Sequence, residues 1–324
     1  MTKKVMAIVL SCMLALSALT ACGGNETPSA NQNPANGSSA VSAVSPASSP
    51  ASSPASSPAA SPAAADAPVT NFDANRIIAL FTREDGSGTR DAFVSITGVG
   101  GDMYAEAVVI SETNEILTKV EENDFAISYV SVGSLTDRVK ALSIDGVAPS
   151  DATIMNGSYM LQRPLLVCVN DEKAQNALVQ DFIAFMLSSE GQDISATRWT
   201  KADVNAPAYT PSGMSGTLKV GGSTSVEPLM QRLREEYIAH NPGVEIEISG
   251  GGSGAGSSEA TSGVLDIGMS SRALRDTEKE VLTDFDIALD GVAVIVNPAN
   301  PITEMSIEQV RAIFVGEVTR WSEV

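Results

Sequence analysis

Three short stretches of this chain share one pattern: an apolar strand, a burst of Gly, Ser and Thr, and then an amphipathic helix. A helix that starts directly after such a turn directs free backbone N–H groups and the positive end of its dipole beyond the strand. One Gly/Ser-rich turn is usually only a tight turn, but three of them in one chain predict a binding site for an anion. The stretches are LKVGGSTSVEPL at residues 218–229, EIEISGGGSGAGSS at 245–258 and RIIALFTREDGSGTRDAF at 76–93.

The charge balance limits what the chain can bind. Its 39 acidic and 20 basic residues give a formal net charge of −19 at pH 7, which argues against nucleic acid as a partner. The overall field also opposes an anionic ligand, so an anion must be recognised locally. Oriented N–H groups, hydroxyls and the planar donor fork of Arg83 meet that need.

Residues 1–21 have the composition of a secretory signal peptide. Lys3 and Lys4 precede an apolar run over residues 5–19 that ends in small residues. The alternative is a transmembrane anchor, but the apolar run is short and no basic stop follows it. We therefore expect residues 1–21 to be removed.

The three cysteines fit this interpretation. The sequence LTAC at residues 19–22 resembles a bacterial lipoprotein box, which implies cleavage before Cys22 and attachment of lipid to its sulfur. Cys12 would leave with the signal peptide, and Cys168 lies in the apolar run LLVCVN, where we expect a buried, inert thiol. We expect a chain without disulfide bonds, anchored through Cys22 to the extracytoplasmic face of the cell membrane.

Residues 22–71 predict a tether between the lipid and the folded part. Ala, Ser, Pro, Asn and Gly dominate this segment, and the tetrapeptide ASSP occurs three times between residues 47 and 58. A segment with so few large apolar side chains cannot build a core, and its regular prolines keep it partly extended.

The remaining chain alternates strands with helices, which predicts an α/β fold with mostly parallel sheets. In such sheets ligands bind beyond the carboxyl ends of the strands, where all three Gly/Ser/Thr bursts fall. One helix should start after Ser225, its expected N-cap, and stop near Asn241. We expect strands at 76–82, 125–132, 165–170, 218–222, 244–249, 265–270 and 291–297, and further helices at 114–122, 174–187, 275–282 and 307–314.

Residues 76–324 closely resemble the phosphate-binding lipoproteins of bacterial phosphate ABC importers. The motifs that carry the resemblance are GGSTSVEPLM, SGGGSGAG, DIGMSSR, ALDGVAVIVN, REDGSGTRDAF, AISYVSVGSL and the RPL that opens LLVCVN. The resemblance implies a two-lobe, periplasmic-binding-protein-like fold of type II, in which each lobe is a mostly parallel sheet flanked by helices. It also implies capture of inorganic phosphate between the lobes and delivery to ABC permease subunits in the membrane, by a monomer without a cofactor.

The two sequence blocks stand in reversed order relative to the family pattern. In the family, the segment like GTLKVGGSTSVEPL opens the folded domain, and the segment like 313–324 continues into the one that is here at residue 76. The sequence therefore looks like a circular permutant, with the former ends joined through about residues 201–216. The alternative is a rearranged gene that joins halves of two tandem copies.

The resemblance also implies where the lobes meet. Strands would pass from one lobe to the other near residues 289–292 and near 163–165. Lobe I would then be continuous, residues 164–291, and lobe II would combine residues 72–163 with 292–324. Two such crossings make a hinge, and closure of the lobes around a ligand is the expected motion.

The family's ligand contacts transfer by motif to eight residues. Hydroxyls and N–H groups would donate to phosphate oxygens, and Arg83 would add a charge-assisted contact. Asp85 is expected to orient the Arg83 guanidinium, the alternative being a solvated turn carboxylate, and Arg272 either supports the site or forms a structural salt link. The eight residues are Thr224, Ser225, Ser253 and Ser271 from lobe I and Arg83, Ser87, Gly88 and Thr89 from lobe II.

One departure from the family concerns selectivity. Some members have an aspartate at the position of Ser271, and its carboxylate accepts the proton of hydrogen phosphate while it repels sulfate, which carries no proton. Ser271 can still accept a hydrogen bond. We therefore expect phosphate as the ligand, with sulfate less strongly excluded.

Two other classes of protein remain as alternatives. A serine hydrolase would use Ser253 or Ser87 as nucleophile, but the single histidine, His240, lies at a helix end and no G-x-S-x-G pattern surrounds Ser253. A phosphate or sulfate-like oxyanion sensor that does not serve transport would keep the same loops. The sequence shows no P-loop lysine and no spacing typical of metal ligands.

Overall fold

A computed structural model of the protein describes residues 72–324, which contain eleven strands and nine α-helices. The predicted signal peptide, the tether and Cys22 lie outside the described residues. The strands are β1 (Ala79–Arg83), β2 (Val108–Ile110), β3 (Ala126–Ser131), β4 (Lys140–Ala141), β5 (Ser143–Ile144), β6 (Gln162–Asn170), β7 (Ser215–Gly222), β8 (Gly243–Ser249), β9 (Ile267–Ser270), β10 (Leu282–Val296) and β11 (Glu304–Met305). The helices are α1 (Gly88–Thr97), α2 (Thr113–Glu121), α3 (Asp151–Met155), α4 (Ala177–Met186), α5 (Ser189–Ser195), α6 (Glu227–His240), α7 (Ser253–Thr261), α8 (Asp276–Lys279) and α9 (Ile307–Phe314).

Nine strands form one mixed sheet in the order β2-β1-β3-β10-β6-β9-β7-β8, with β4 also paired to β10. Strands at both ends of the sheet are parallel, which agrees with the predicted α/β class. The centre is antiparallel, because β10 runs against β3 and β6, and β6 runs against β9. The sheet is therefore less parallel than the sequence pattern predicts.

The antiparallel centre follows from the length of β10. The prediction of a helix over 275–282 was too long, since α8 ends at Lys279 and β10 already begins at Leu282. Along the added part, Leu282, Ile287 and Ala288 are buried, and the strand pairs with β6 from Leu282 to Gly291. Burial against a neighbouring strand thus outweighs the local helical pattern.

The start of α6 also differs from the prediction. Val226 occupies the N-cap position and makes no side-chain cap, while Pro228 lies in the first turn, where a missing N–H costs nothing. Ser225, the predicted cap, instead directs its hydroxyl to Thr89. A residue expected to stabilise its own helix thus contacts a different part of the fold.

The buried apolar side chains form two large clusters. One draws on residues 165–288 and centres on Phe182, Phe185 and Tyr237. The other draws on residues 78–161 and 292–321 and centres on Phe93 and its stacked neighbour Tyr129. The strand β10 serves both, since its first part pairs with β6 and residues 292–296 pair with β3. The lobe boundaries at 163/164 and 291/292 stay a prediction.

Candidate functional site

The three Gly/Ser/Thr bursts meet at the carboxyl ends of their strands. The first precedes α6 after β7, the second precedes α7 after β8, and the third precedes α1 after β1. Segments that are far apart in the chain are thereby brought to one place, together with Ser271, which directly follows β9. All eight predicted site residues are buried: Arg83, Ser87, Gly88, Thr89, Thr224, Ser225, Ser253 and Ser271.

Arg83 ends β1 and spans the meeting point. Its side chain is 3% exposed, and its Nη2 donates to Thr224 Oγ1 at 3.0 Å and to the Ser111 carbonyl at 2.8 Å. Its Nη1 donates to Thr113 Oγ1 at 3.1 Å. Three acceptors on two different segments fix the orientation of the guanidinium, which therefore stays next to Thr224.

The acidic partner of Arg83 is Glu84 and not the predicted Asp85. The two Glu84 carboxylate oxygens accept from Nε and Nη2 of Arg83 at 2.9 and 3.0 Å, an edge-on arrangement with two hydrogen bonds. Asp85 points out of the turn, its side chain is 96% exposed, and it contacts Arg90. Asp85 is therefore the solvated turn carboxylate that the alternative interpretation expected.

The hydroxyl of Thr89 lies in the first turn of α1 and faces the loop after β7. Its Oγ1 is 2.7 Å from Ser225 Oγ. It also accepts a hydrogen bond from Nη1 of Arg163 at 2.8 Å, and the same Nη1 donates to the Ser271 carbonyl at 3.2 Å. Arg163 therefore contacts residues on both sides of the meeting point.

Ser253 and Ser271 form a second pair of hydroxyls. Ser253 Oγ accepts from the Ser271 backbone N–H at 3.0 Å, and the two Oγ atoms are 3.4 Å apart. Gly88 passes directly above them, so that a Cβ at this position would lie 2.1 Å from Ser253 Oγ. Glycine is required here by the close approach of α1 to α7.

Ser87 has a local role in the structure. It is the N-cap of α1, and its Oγ accepts from the Arg90 backbone N–H at 3.4 Å. The preceding turn is linked to α7, because the Gly254 N–H donates to the Gly86 carbonyl at 3.0 Å. The N-termini of α1 and α7 are thereby held against each other.

Tyr129 supports the end of β1 from below. Its hydroxyl accepts from the Arg83 backbone N–H at 3.2 Å and lies 2.8 Å from Thr82 Oγ1. Burial raises the pKa of Tyr129 above its ordinary value, so the phenol stays protonated at neutral pH. This anchor fixes the backbone from which the Arg83 side chain extends.

Arg272 lies beside the site in a network of charges. Its Nε donates to Asp91 on α1 at 2.9 Å, and its Nη1 and Nη2 donate to Glu278 at 2.7 and 2.8 Å. Arg275 donates to the same Asp91 oxygen at 2.6 Å. The salt link that was one expectation for Arg272 is present, and it joins the segment after β9 to α1.

Besides Glu84 and Tyr129, the predicted set lacks three residues of the site, Thr113, Arg163 and Asp290. Thr113 reaches Arg83 because β2 pairs with β1, and no local pattern distinguishes it. Arg163 belongs to the RPL motif, but the sequence suggested only that a hinge lies near it. The sequence feature that could have revealed it is a charged residue at the start of an otherwise apolar strand. The structure pairs this arginine with Asp290, which lies in the motif ALDGVAVIVN.

The site gathers hydrogen-bond donors. Hydroxyls, N–H groups and two arginines converge, and each arginine is neutralised by a carboxylate, Glu84 or Asp290. The single histidine of the sequence, His240, lies at the end of α6, 3.4 Å from Glu236. Among residues 72–324, no group of three or more His, Cys, Asp or Glu side chains is placed to hold a metal ion, and no helix is long and apolar enough to cross a membrane.

An α/β sheet with a buried set of hydrogen-bond donors at its strand ends defines a ligand-binding protein. A model of the PBP superfamily domain matches residues 27–190 and 207–324. The phosphate-binding protein PstS 2 of Streptococcus pneumoniae is 41% identical over 260 residues, which cover 78% of this chain and 89% of that protein. Its counterpart in Streptococcus agalactiae is 37% identical over 257 residues. The chain therefore belongs to the family of phosphate-binding proteins within the PBP superfamily.

A solved structure agrees with this assignment. The crystal structure of a phosphate-binding protein of a phosphate ABC transporter from Streptococcus pneumoniae has a TM-score of 0.64 and 40% identity. It covers 77% of this chain, which in turn covers 100% of that structure.

Another curated relative matches over a shorter length. The phosphate-binding protein PstS of Bacillus subtilis is 32% identical over only 113 residues, 34% of this chain and 38% of that protein. The circular permutation stays a prediction.

Proposed function

We propose that the protein captures inorganic phosphate in the cleft between two lobes and delivers it to an ABC permease. The observation that carries this proposal is the convergence of Arg83, Thr224, Thr89 and Ser225, from segments up to 141 residues apart, in one set of direct hydrogen bonds. The names of the streptococcal relatives supply the ligand and the transport system.

The site residues suit a tetrahedral oxyanion. Hydroxyl groups rotate to donate to oxygens in several directions, and the Arg83 guanidinium, held by Glu84, supplies N–H donors of fixed direction. The site residues are buried, and the low dielectric of a buried site strengthens each of these hydrogen bonds. We propose Arg83, Ser87, Gly88, Thr89, Thr224, Ser225, Ser253 and Ser271 as the phosphate contacts.

Capture requires that the two lobes move. We propose lobe I as residues 164–291 and lobe II as residues 72–163 with 292–324, with β6 and β10 passing between them. Two strand connections allow rotation about a hinge and hold the lobes in register. The two large apolar clusters support this division, because each draws on one of the proposed lobes.

We further propose that the protein works as a lipid-anchored monomer on the extracytoplasmic face of the membrane. The signal peptide and Cys22 are read from the sequence, and the tether, residues 22–71, would give the folded part freedom to reach a permease. The role is binding and not catalysis, because His240 lies away from the buried serines at the end of α6.

Isothermal titration tests the ligand. The folded part from Ala67 onward should bind one phosphate per chain, with much less heat from sulfate and none from buffer. Arg83→Ala and Thr224→Ala should each weaken phosphate binding, by about 10-fold to 100-fold for the loss of a charge-assisted contact. Absence of saturable phosphate heat in the unaltered protein contradicts the proposal, and wild-type affinity in either variant contradicts the assembled site. Exposed Asp102, changed to Asn, is the matched control.

A further inference from the structure

Arg163 and Asp290 form a buried ion pair between the two central strands. They are directly opposite each other where β6 pairs with β10. Both Nε and Nη2 of Arg163 donate to Asp290 Oδ2, at 3.1 and 2.9 Å, and the two side chains are 2% and 0% exposed. The second carboxylate oxygen, Oδ1, accepts from the Gly133 backbone N–H at 3.3 Å.

A pair of this kind is poor evidence for a purely structural role. Removing two charges from water costs several kcal/mol, and well-packed apolar side chains often stabilise a core equally well. The pair also lies where the strands pass between the proposed lobes. It is also in direct contact with the proposed phosphate site.

The third nitrogen of the guanidinium, Nη1, makes the contact with the site. Nη1 does not contact Asp290. It donates to Thr89 Oγ1 at 2.8 Å and to the Ser271 carbonyl at 3.2 Å. Thr89 belongs to proposed lobe II and Ser271 to proposed lobe I. Both are proposed phosphate contacts, and Arg163 donates a hydrogen bond to each of them.

We propose that Arg163 is a positioning residue for phosphate, which fixes the Thr89 hydroxyl as a donor and connects it to Asp290 at the crossing of the two strands. The inference rests on the function proposed above. A guanidinium can only donate, so it occupies one of the two lone pairs of the Thr89 oxygen and polarises its O–H bond. The Thr89 proton is then available to an acceptor oxygen, either that of Ser225, which lies 2.7 Å away, or that of a ligand.

The same contact links the ligand to the hinge. Arg163 can reach Thr89 and Ser271 together only when the two proposed lobes are in contact, because one nitrogen serves both. Asp290 holds the other edge of the guanidinium in place, and its own position is fixed through Gly133. Loss of Arg163 should therefore weaken phosphate binding without removing any atom that touches phosphate.

A double-mutant cycle tests the inference. The first change is Arg163→Gln together with Asp290→Asn, which leaves no unpaired buried charge, and the second is Thr89→Val, which removes only the hydroxyl. Phosphate dissociation constants are measured by titration calorimetry for all four proteins. With Thr89 present, the paired change should weaken binding about 10-fold or more, the size of a lost charge-assisted hydrogen bond. In the protein that already carries Thr89→Val, the paired change should weaken binding less than about twofold, because the hydroxyl that Arg163 positions is gone.

Equal losses in the two backgrounds would show a general structural role and overturn the inference. Arg138→Gln with Glu121→Gln, an ion pair on the surface, is the matched control and should leave affinity unchanged in both. If the Arg163/Asp290 variant fails to fold, the same cycle is run with Arg163→Lys, which keeps the charge but loses the planar fork. If the unaltered protein does not bind phosphate, the proposed function has failed. If it binds and the cycle is additive, only the role of Arg163 has failed.

Discussion

The hydroxyl oxygens of Thr89 and Ser225 lie 2.7 Å apart, although 136 residues separate them in the chain. Thr89 lies in the first turn of α1, and Ser225 lies in the loop between β7 and α6. Both side chains are buried, and neither caps its own helix. In this structure the two hydroxyls bond to each other, and in the proposed phosphate site each would turn to donate to a ligand oxygen once the two segments move apart.

The close approach of Gly88 to Ser253 predicts a strong steric effect. In Gly88→Ala the new Cβ would lie 2.1 Å from Ser253 Oγ and 2.8 Å from Ser271 Oγ, so α1 and α7 cannot meet. We expect phosphate affinity to fall at least about 100-fold, whereas helix propensity favours Ala over Gly. Thermal melting with and without phosphate measures this: the variant should lose the rise in Tm that ligand causes. Gly101→Ala, where a Cβ meets nothing within 4 Å, should keep it.

The charges between α1 and the segment after β9 predict a salt-dependent contribution to binding. Asp91→Asn removes the shared partner of Arg272 and Arg275. Because the ion pairs of Asp91 with Arg272 and Arg275 are only partly buried, we expect a loss in phosphate affinity of about 3-fold to 10-fold. The loss should shrink as ionic strength rises, since salt screens charges near the surface. Titrations at low and high salt measure it, and an unchanged affinity at low salt would contradict a link that favours closure.

Ser271 predicts how selectivity can be changed. In Ser271→Asp a carboxylate would face the ligand, repel sulfate and accept the proton of hydrogen phosphate. We expect phosphate binding to persist and sulfate competition to disappear. Ser271→Asn has a similar shape without charge and should still allow sulfate to compete. Competition by sulfate in the Asp variant, equal to that in the unaltered protein, would count against Ser271 as a ligand contact.

Cys168 predicts a simple pH dependence. Burial, with the nearby charges of Glu278 and Asp284, raises the pKa of its thiol to about 12. Alkylation of the folded protein from Ala67 onward should be very slow at pH 8, because the thiol is both protonated and buried away from the reagent. The unfolded thiol ionises near pH 8.5, so the free energy of unfolding should decrease as pH rises from there towards 12. Rapid labelling at pH 8 without denaturant would contradict this.

Much of the architecture follows from local patterns in the sequence. Apolar alternation and Gly/Ser/Thr bursts locate the strands around Val220 and Ile246 and the turns after them, because these signals depend on neighbours within a few residues. The helix predicted at 307–314 is found as Ile307–Phe314. Errors occurred where distant partners decide, as at Leu282, which joins β10 because β6 lies beside it.

The order of amino acids is enough to establish which chemical groups are available: three donor-rich turns, the arginine at position 83, and the family to which they point. How these groups are paired depends on the folded chain. Glu84 rather than Asp85 holds Arg83, since the direction of a side chain in a turn depends on what surrounds it. Arg163 reaches Thr89 across 74 residues, a contact that only the packing of α1 against the central strands creates. Local propensity acts over a few residues, whereas a binding site depends on distances between segments that the folded core alone sets.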